Sequence, residues 1–166
     1  MGHIGRNRPV NTVVTYYLDE LNISYKIKHH AKPVFTSEDA ARERGVRLSQ
    51  IVKTILLSNK DGETVVAVLP GHKRLDLKKL KKLSKNKNLQ FMDRESIERE
   101  IGFEVGAVAP VGNIFKGLAI FVDPSTFDEE FVDISSGDPK AGVELARDDL
   151  KELLEYATVA EITERE

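Results

Sequence analysis

The sequence predicts one α+β domain built around a mixed sheet. Its 166 residues are the length of a single domain. Segments in which apolar and polar residues alternate, as in strands, are interleaved with segments of helical periodicity. No internal repeat and no linker rich in Pro, Gly or Ser divides the chain. We therefore expect residues 12–166 to form one domain that follows a short N-terminal extension, residues 1–11.

The first third of the domain is predicted to hold a helix, a strand and a second helix. The first helix is expected to end near Asn22, and its apolar stripe is formed by Val14, Tyr17, Leu18 and Leu21. Residues 24–29 alternate as a strand does. Thr36 can cap a second helix, and Gly45 is a residue type typical of the position just after a helix end.

The rest of the chain continues the interleaved pattern. The expected strands are 48–58, 63–69, 89–92, 118–122, 131–134 and 143–145, of which the first two form a hairpin. The expected helices are a very basic one capped by Asp76, one from Asp93 to Gly102, and a C-terminal one over residues 148–156. The segments 105–117 and 135–142 are rich in Gly, Pro and small residues and are predicted to be loops.

The net charge of −2 conceals two oppositely charged parts of the chain. Residues 1–122 carry a net charge of +8, and residues 123–166 carry −10. The predicted basic helix lies in the segment 71–87, which has eight Lys and Arg and one acidic residue. The candidate RNA-binding residues of this segment are Lys73, Arg74, Lys78, Lys79, Lys81 and Lys82. A nucleic-acid backbone is the natural partner of such a helix. On charge alone, a solvated helix face explains it equally well.

Several classes of site are disfavoured by composition. The chain has no cysteine, which excludes disulfides, a thiolate nucleophile and Cys-ligated metals. The adjacent His29 and His30 would point to opposite faces of a strand, and no HExxH spacing occurs. No apolar run approaches the ~20 residues of a membrane span. We expect a cytoplasmic protein with no metal or cofactor, and we interpret the acidic residues at 128–133 as a solvated surface.

Lys53 occupies the most unusual position in the sequence. It interrupts the apolar strand Ile51–Leu57, where both faces are expected to be covered. An unpaired buried ammonium costs several kcal/mol, so this side chain must reach water, pair with an anion or lose its charge. A stem that lies along apolar surface with its head in water is one interpretation, and a functional lysine is the other.

Two glycine-bearing loops are further candidates. Val105–Gly112 could let a backbone approach a ligand closely and offer N–H groups to an oxyanion. Ser135–Gly142 offers hydroxyls and backbone groups that could bind one end of a substrate. Taken alone, each loop is better explained as an ordinary connection between strands. Neither the P-loop pattern nor the dinucleotide-binding pattern occurs in the sequence.

Taken in order, these segments resemble the YbaK/ProX family of aminoacyl-tRNA deacylases, relatives of the editing domain of bacterial prolyl-tRNA synthetases. The matching blocks are Ser49–Leu56, Ala67–Pro70, Leu75–Leu80, Ile101–Gly112, Val132–Gly137, Val143–Leu145 and Asp149–Leu150. The resemblance covers roughly residues 12–156. It implies a mostly antiparallel, barrel-like sheet surrounded by helices.

The resemblance also implies an activity: hydrolysis of the ester that links a wrong small amino acid, such as Cys, Ala, Ser or Thr, to the 3′-terminal adenosine of a tRNA. Lys53 falls on the family's essential lysine and Gly106 on the glycine whose backbone contributes to the reacting centre. The implied substrate-binding residues are Phe35, Thr36, Thr54, Ala107, Val108, Ser135, Ser136 and Gly137. The implied partners are tRNA and an aminoacyl-tRNA synthetase, with no metal and no covalent intermediate.

Two departures from the family pattern leave alternatives open. Ala107 adds a methyl group where the family often has a second glycine, and Ala109 replaces a serine. One alternative is a tRNA- or synthetase-binding module with the same fold and weakened catalysis. Another is a hydrolase of small amino-acid esters.

Overall fold

The computed structural model describes residues 10–101, 109–110 and 117–165 and shows a mixed α+β architecture. The α-helices in these residues are α1 (Val13–Glu20), α2 (Ser37–Arg44), α3 (Leu77–Ser84), α4 (Arg94–Glu100) and α5 (Arg147–Leu153). The strands are β1 (Tyr25–His29), β2 (Val52–Ser58), β3 (Thr64–Pro70), β4 (Gln90–Phe91), β5 (Ala119–Val122), β6 (Phe131–Ser135), β7 (Ala141–Ala146) and β8 (Thr158–Val159). Within these ranges, every helix is too short or too polar to cross a membrane.

The strands form two sheets. The smaller has the order β1-β7-β6 and is antiparallel throughout. The larger has the order β4-β2-β3-β5-β8, with β2 antiparallel to β3 and β4 and with β5 parallel to β3 and β8. A parallel bridge between Ile51 and Asp133 joins the sheets. The mixed, mostly antiparallel pairing agrees with the prediction, but the described strands form two open sheets in place of a single barrel-like one.

The main core lies between the two sheets. Leu56 and Val66 of the larger sheet belong to the same buried cluster as Ile134 and Val143 of the smaller one. The other face of the larger sheet packs against α3, chiefly through Leu80. Because the larger sheet is covered on both faces, β3 is apolar along nearly its whole length, as is typical of central strands.

Three predicted helix starts and one predicted helix end are confirmed by their caps. The Thr36 side chain accepts a hydrogen bond of 3.0 Å from the Asp39 N–H at the start of α2. Gly45 ends that helix in the left-handed region with φ of 68°, where glycine avoids the steric cost of a side chain. The side chains of Asp76 and Asp93 cap α3 and α4 in the same way as Thr36.

Three local features differ from the sequence prediction. Residues 48–50 form a 3₁₀ turn before β2 begins. Strand β7 starts at Ala141, inside the predicted loop, because Ala141 and Gly142 pair with β1. Strand β8 has two residues and is too short to produce a detectable periodicity. The last two features arise from pairing with strands distant in sequence.

The C-terminal segment is held against the start of α3. The Asp76 N–H donates to the Ile162 carbonyl at 2.7 Å, and the Glu164 N–H donates to the Arg74 carbonyl at 2.9 Å. Asp123 is buried beneath this segment and accepts hydrogen bonds from the Ile162 N–H (2.9 Å) and the Thr163 hydroxyl (3.2 Å). Burial alone would raise the pKa of Asp123, but these bonds and those from Ser125 bring its pKa below the usual value.

Replacement of Asp123 should therefore destabilise the fold. Asp123→Ala leaves buried donors of Ile162 and Thr163 without an acceptor, at a cost of about 2–4 kcal/mol in unfolding free energy. Asp123→Asn keeps one acceptor oxygen and should lose less. Urea denaturation of the three proteins measures the difference, and equal midpoints for the wild type and the alanine variant would contradict this role.

Candidate functional site

A cavity of about 380 Å³ opens at one edge of β2. Strand β4 pairs with β2 only at Leu57 and Ser58. Among the described residues, the remaining part of that edge faces the cavity. The lining residues are Val34, Phe35, Thr36, Ser37, Glu38, Ala40, Arg44, Ile51, Val52, Lys53, Thr54, Ile55, Leu56, Phe91, Met92, Ile97 and Ser135. The volume lies in the range of small-molecule sites.

Lys53 lines this cavity from near the start of β2. It pairs with Leu69 of β3, so its stem leaves the sheet on the face that packs against α3. The side chain is partly buried, and this burial lowers the pKa of Lys53 below its usual value. Glu38 acts in the opposite direction and Arg74 in the same direction as burial. An ammonium so placed is stabilised by any anionic or polar substrate group that enters the cavity.

Four of the predicted substrate-binding residues line the same cavity as Lys53. Phe35 and Thr36 come from the segment that leads into α2, Thr54 from β2 and Ser135 from the end of β6. The hydroxyl oxygen of Thr54 is buried, and none of the residues that the structure describes forms a hydrogen bond with it. Elements far apart in sequence thus bring a cation and several hydroxyl groups to one small volume.

The other predicted residues of the site lie elsewhere. Ser136 is fully buried, and its hydroxyl donates to the Ala141 carbonyl at 2.7 Å, which closes the turn between β6 and β7. Gly137 has φ of 89° and packs against Thr12. Neither belongs to the wall of the cavity. The predicted residues Gly106, Ala107 and Val108 lie outside the described residues.

The predicted RNA-binding residues do not all lie in the same environment. Lys78 and Lys82 are exposed on α3, and Lys81 is partly exposed. The Lys79 ammonium donates to the Thr163 carbonyl at 3.0 Å and so holds the C-terminal segment. Exposed Arg74 lies close enough to Lys53 to affect its pKa, which connects the basic segment with the cavity. Lys73 lines a second, polar cavity beside the C-terminal segment.

Sequence reasoning did not identify most of the cavity wall, including its charged residues Glu38 and Arg44 and its exposed ring Phe91. A sequence signal for Arg44 existed, because Ala40, Ala41 and Arg44 have the spacing of a buried helix stripe, and all three are buried. No comparable signal marks the other two. Their place in the wall follows from how α2 and β4 pack beside β2.

Arg44 is held in a buried charge cluster beside the cavity. Its side chain crosses Gly142, where an added Cβ would lie 2.3 Å from the Arg44 Nε atom. Asp133 is 0% exposed, and its negative charge is attracted by that of Arg44. The Lys28 ammonium lies 3.8 Å from the Asp133 carboxylate. The interpretation of this acidic segment as a solvated surface was therefore wrong for Asp133. The sequence pattern did not show that Asp133 is on the covered face of β6.

Burial dominates the titration of Asp133. It raises the pKa of this carboxyl to about 6, against the opposing effects of Lys28 and Arg44. Burial likewise lowers the pKa of Arg44, and Asp133 opposes that change. The attraction between the two charges partly offsets the desolvation of each. Within the described ranges, His, Asp and Glu side chains nowhere form a group of three that could hold a metal ion.

Comparison with known proteins identifies the class to which this fold and cavity belong. Residues 31–153 match the family model described as the aminoacyl-tRNA editing domain. An Enterococcus faecalis protein named as a candidate Cys-tRNA(Pro)/Cys-tRNA(Cys) deacylase, EbsC, is 32% identical over 132 residues, which cover 79% of each chain. A proline–tRNA ligase of Thermosipho melanesiensis is 30% identical over 111 residues, and the match covers 67% of this chain and 20% of the ligase.

Solved structures agree with the sequence relatives. A candidate trans-editing enzyme for prolyl-tRNA synthetase superimposes with a TM-score of 0.80 at 26% identity, over 95% of this chain and 99% of that one. The hypothetical protein APE2540 superimposes with a TM-score of 0.81 over 92% of this chain, also at 26% identity. The chain belongs to the aminoacyl-tRNA editing domain family, which confirms the resemblance seen in the sequence.

The raised pKa of Asp133 predicts an unusual dependence of stability on pH. The folded state holds this proton up to about pH 6 and the unfolded state only to about 3.8. Unfolding free energy should therefore fall as pH rises from about 4 to 6, by roughly 3 kcal/mol from this group. Asp133→Asn removes the titration. Denaturation at several pH values should show the wild type losing stability relative to the variant, and parallel profiles would contradict the assignment.

Proposed function

We propose that this protein hydrolyses mischarged aminoacyl-tRNA, cleaving the ester between a small amino acid and the 3′-terminal adenosine. The observation that carries the proposal is the position of Lys53 in a small cavity with the hydroxyls of Thr36, Thr54 and Ser135. Family membership and the names of the relatives support the same reaction. A tRNA substrate places the reaction in the cytoplasm.

The proposed reaction requires little catalytic chemistry from the site. An aminoacyl ester is already activated, so water can attack its carbonyl carbon when the ester is held in position and the developing oxyanion is stabilised. The tetrahedral intermediate then releases the ribose oxygen, which takes up a proton. We assign Lys53 to holding the 3′ end of the tRNA, where its ammonium gains anionic or polar partners. The backbone of Gly106 remains our proposed contributor to the reacting centre.

The proposed roles divide the cavity wall into two parts. Thr36, Thr54 and Ser135 offer hydroxyls to the amino acid or ribose. A substrate group would give the buried oxygen of Thr54 a hydrogen bond that the described residues do not supply. The apolar wall formed by Val52, Ile55 and Leu56 suits a small side chain.

Loss of the Lys53 ammonium should abolish editing. For Lys53→Ala we expect kcat/KM for deacylation of the best mischarged tRNA to fall at least about 100-fold, the usual cost of removing one charge-stabilising group from an active site. The measurement is release of labelled amino acid from a panel of mischarged tRNAs. Lys60→Ala, in the exposed turn between β2 and β3, is the matched control and should keep full activity. Turnover by Lys53→Ala at the wild-type rate would refute the assignment.

The basic helix provides the proposed contact with the tRNA backbone. Exposed lysines that neutralise phosphates release counterions, so affinity falls with salt. Replacement of Lys78, Lys81 and Lys82 by Gln should weaken tRNA binding and make the slope of log K against log salt less steep by about 2–3. The control replaces Lys26, Lys60 and Lys151, three exposed lysines outside α3 and the cavity wall, and should preserve the slope. An unchanged slope in the helix variant would place the RNA elsewhere.

A second candidate function is that of a tRNA- or synthetase-binding module with weakened catalysis. The relation to proline–tRNA ligases supports this candidate. Both functions predict tRNA binding, so turnover separates them. Absence of turnover across the whole panel, with binding intact, would favour the module.

A further inference from the structure

We propose that Phe35 and Phe91 form a stacking site for unpaired bases at the 3′ end of the RNA substrate, at the mouth of the Lys53 cavity. Both rings line this cavity, yet they remain 57% and 58% exposed. Single exposed apolar residues are common on proteins, but two large aromatic rings at the mouth of the cavity that holds Lys53 suggest a ligand. This inference rests on the proposed function, because it assumes that RNA enters the cavity.

The backbone fixes Phe91 in an exposed position. Strand β4 pairs with β2 so that Phe91 lies opposite Leu57, on the same face as Lys53. The flanking residues Leu89 and Met92 are buried, and the Met92 N–H donates to the Leu56 carbonyl at 3.0 Å. The ring is thus held by anchored neighbours, which suits a stacking surface.

Phe35 is held from the other side of the cavity mouth. Val34 before it is buried, and Thr36 after it caps α2. The Arg94 guanidinium lies 5.9 Å from the centre of the Phe35 ring. Because Arg94 begins α4, three residues after Phe91, this contact brings the segments that carry the two rings together.

The surrounding charges select a nucleic acid over an apolar partner. Lys53 and Arg44 line the cavity, Arg94 lies over Phe35, and Arg74 interacts with Lys53. Exposed aromatic rings beside cations are the arrangement with which proteins bind single-stranded RNA, because bases stack on the rings while phosphates meet the charges. The basic helix α3 carries no aromatic residue on which a base could stack, and these two rings provide that stacking surface.

The test uses uncharged RNA, so it is independent of ester hydrolysis. A minihelix with a single-stranded CCA end carries 2-aminopurine at its last position and a fluorescein at its 5′ end. Stacking should quench the 2-aminopurine when the wild-type protein binds. For Phe91→Leu and Phe35→Leu we expect most of the quenching to disappear and Kd to rise about 5- to 150-fold. Phe91→Tyr keeps a ring and should retain both signals.

The controls separate stacking from folding and from catalysis. Tyr156→Leu removes an exposed ring that is not part of the cavity wall and should change nothing. Circular dichroism checks that each leucine variant is folded. Equal quenching and affinity in the wild type and the leucine variants would overturn the inference, even if deacylation is intact. Aromatic-dependent quenching without turnover would instead overturn the proposed hydrolysis alone. Failure of the wild type to bind the minihelix would overturn the inference as well.

Discussion

The burial of the Arg44 guanidinium between α2 and the smaller sheet is the constraint on which the candidate site depends. This guanidinium donates to the Ile134 carbonyl at 3.5 Å, and the charge of the buried Asp133 carboxylate partly offsets its desolvation. Arg44 ends α2, whereas Asp133 and Ile134 lie in β6, and Asp133 bridges Ile51 just before β2. Arg44 therefore ties α2 to the smaller sheet beside the strand that carries Lys53, and it forms part of the cavity wall.

Gly142 makes this arrangement possible. The Arg44 side chain lies over the β7 backbone so closely that any Cβ at position 142 would occupy its space. In sequence, Gly142 belongs to a segment that resembles a flexible turn, and its conformation gives no reason for glycine because its φ is not positive. Position 142 requires glycine because a side chain from α2 approaches the backbone closely there. This explains why a composition-based interpretation assigned it to a loop.

The fold was predictable wherever local rules decide the structure. Thr36, Asp76 and Asp93 were expected as helix caps, and all three act as caps. The hairpin of β2 and β3 followed from alternation and from the turn between its strands. What local rules could not provide was the pairing of distant segments, such as the start of β7 against β1 and the two-residue β8.

The site shows the same division between local and long-range information. Lys53 was identifiable because a charge in an apolar strand contradicts its surroundings, and Phe35 and Thr36 followed from the family resemblance. Phe91 and Glu38 carry no such contradiction, because an aromatic in a strand and an acid near a helix start are both ordinary. Their place in the site comes only from packing beside β2.

Long-range packing also changes the interpretation of the division of charge along the chain. The acidic C-terminal segment packs against the start of the basic helix, because its backbone bonds to Arg74 and Asp76 and accepts a hydrogen bond from Lys79. The basic surface left for RNA is consequently smaller than the +8 of the first 122 residues suggests, and it is concentrated on the exposed lysines of α3 and on the cations around the cavity.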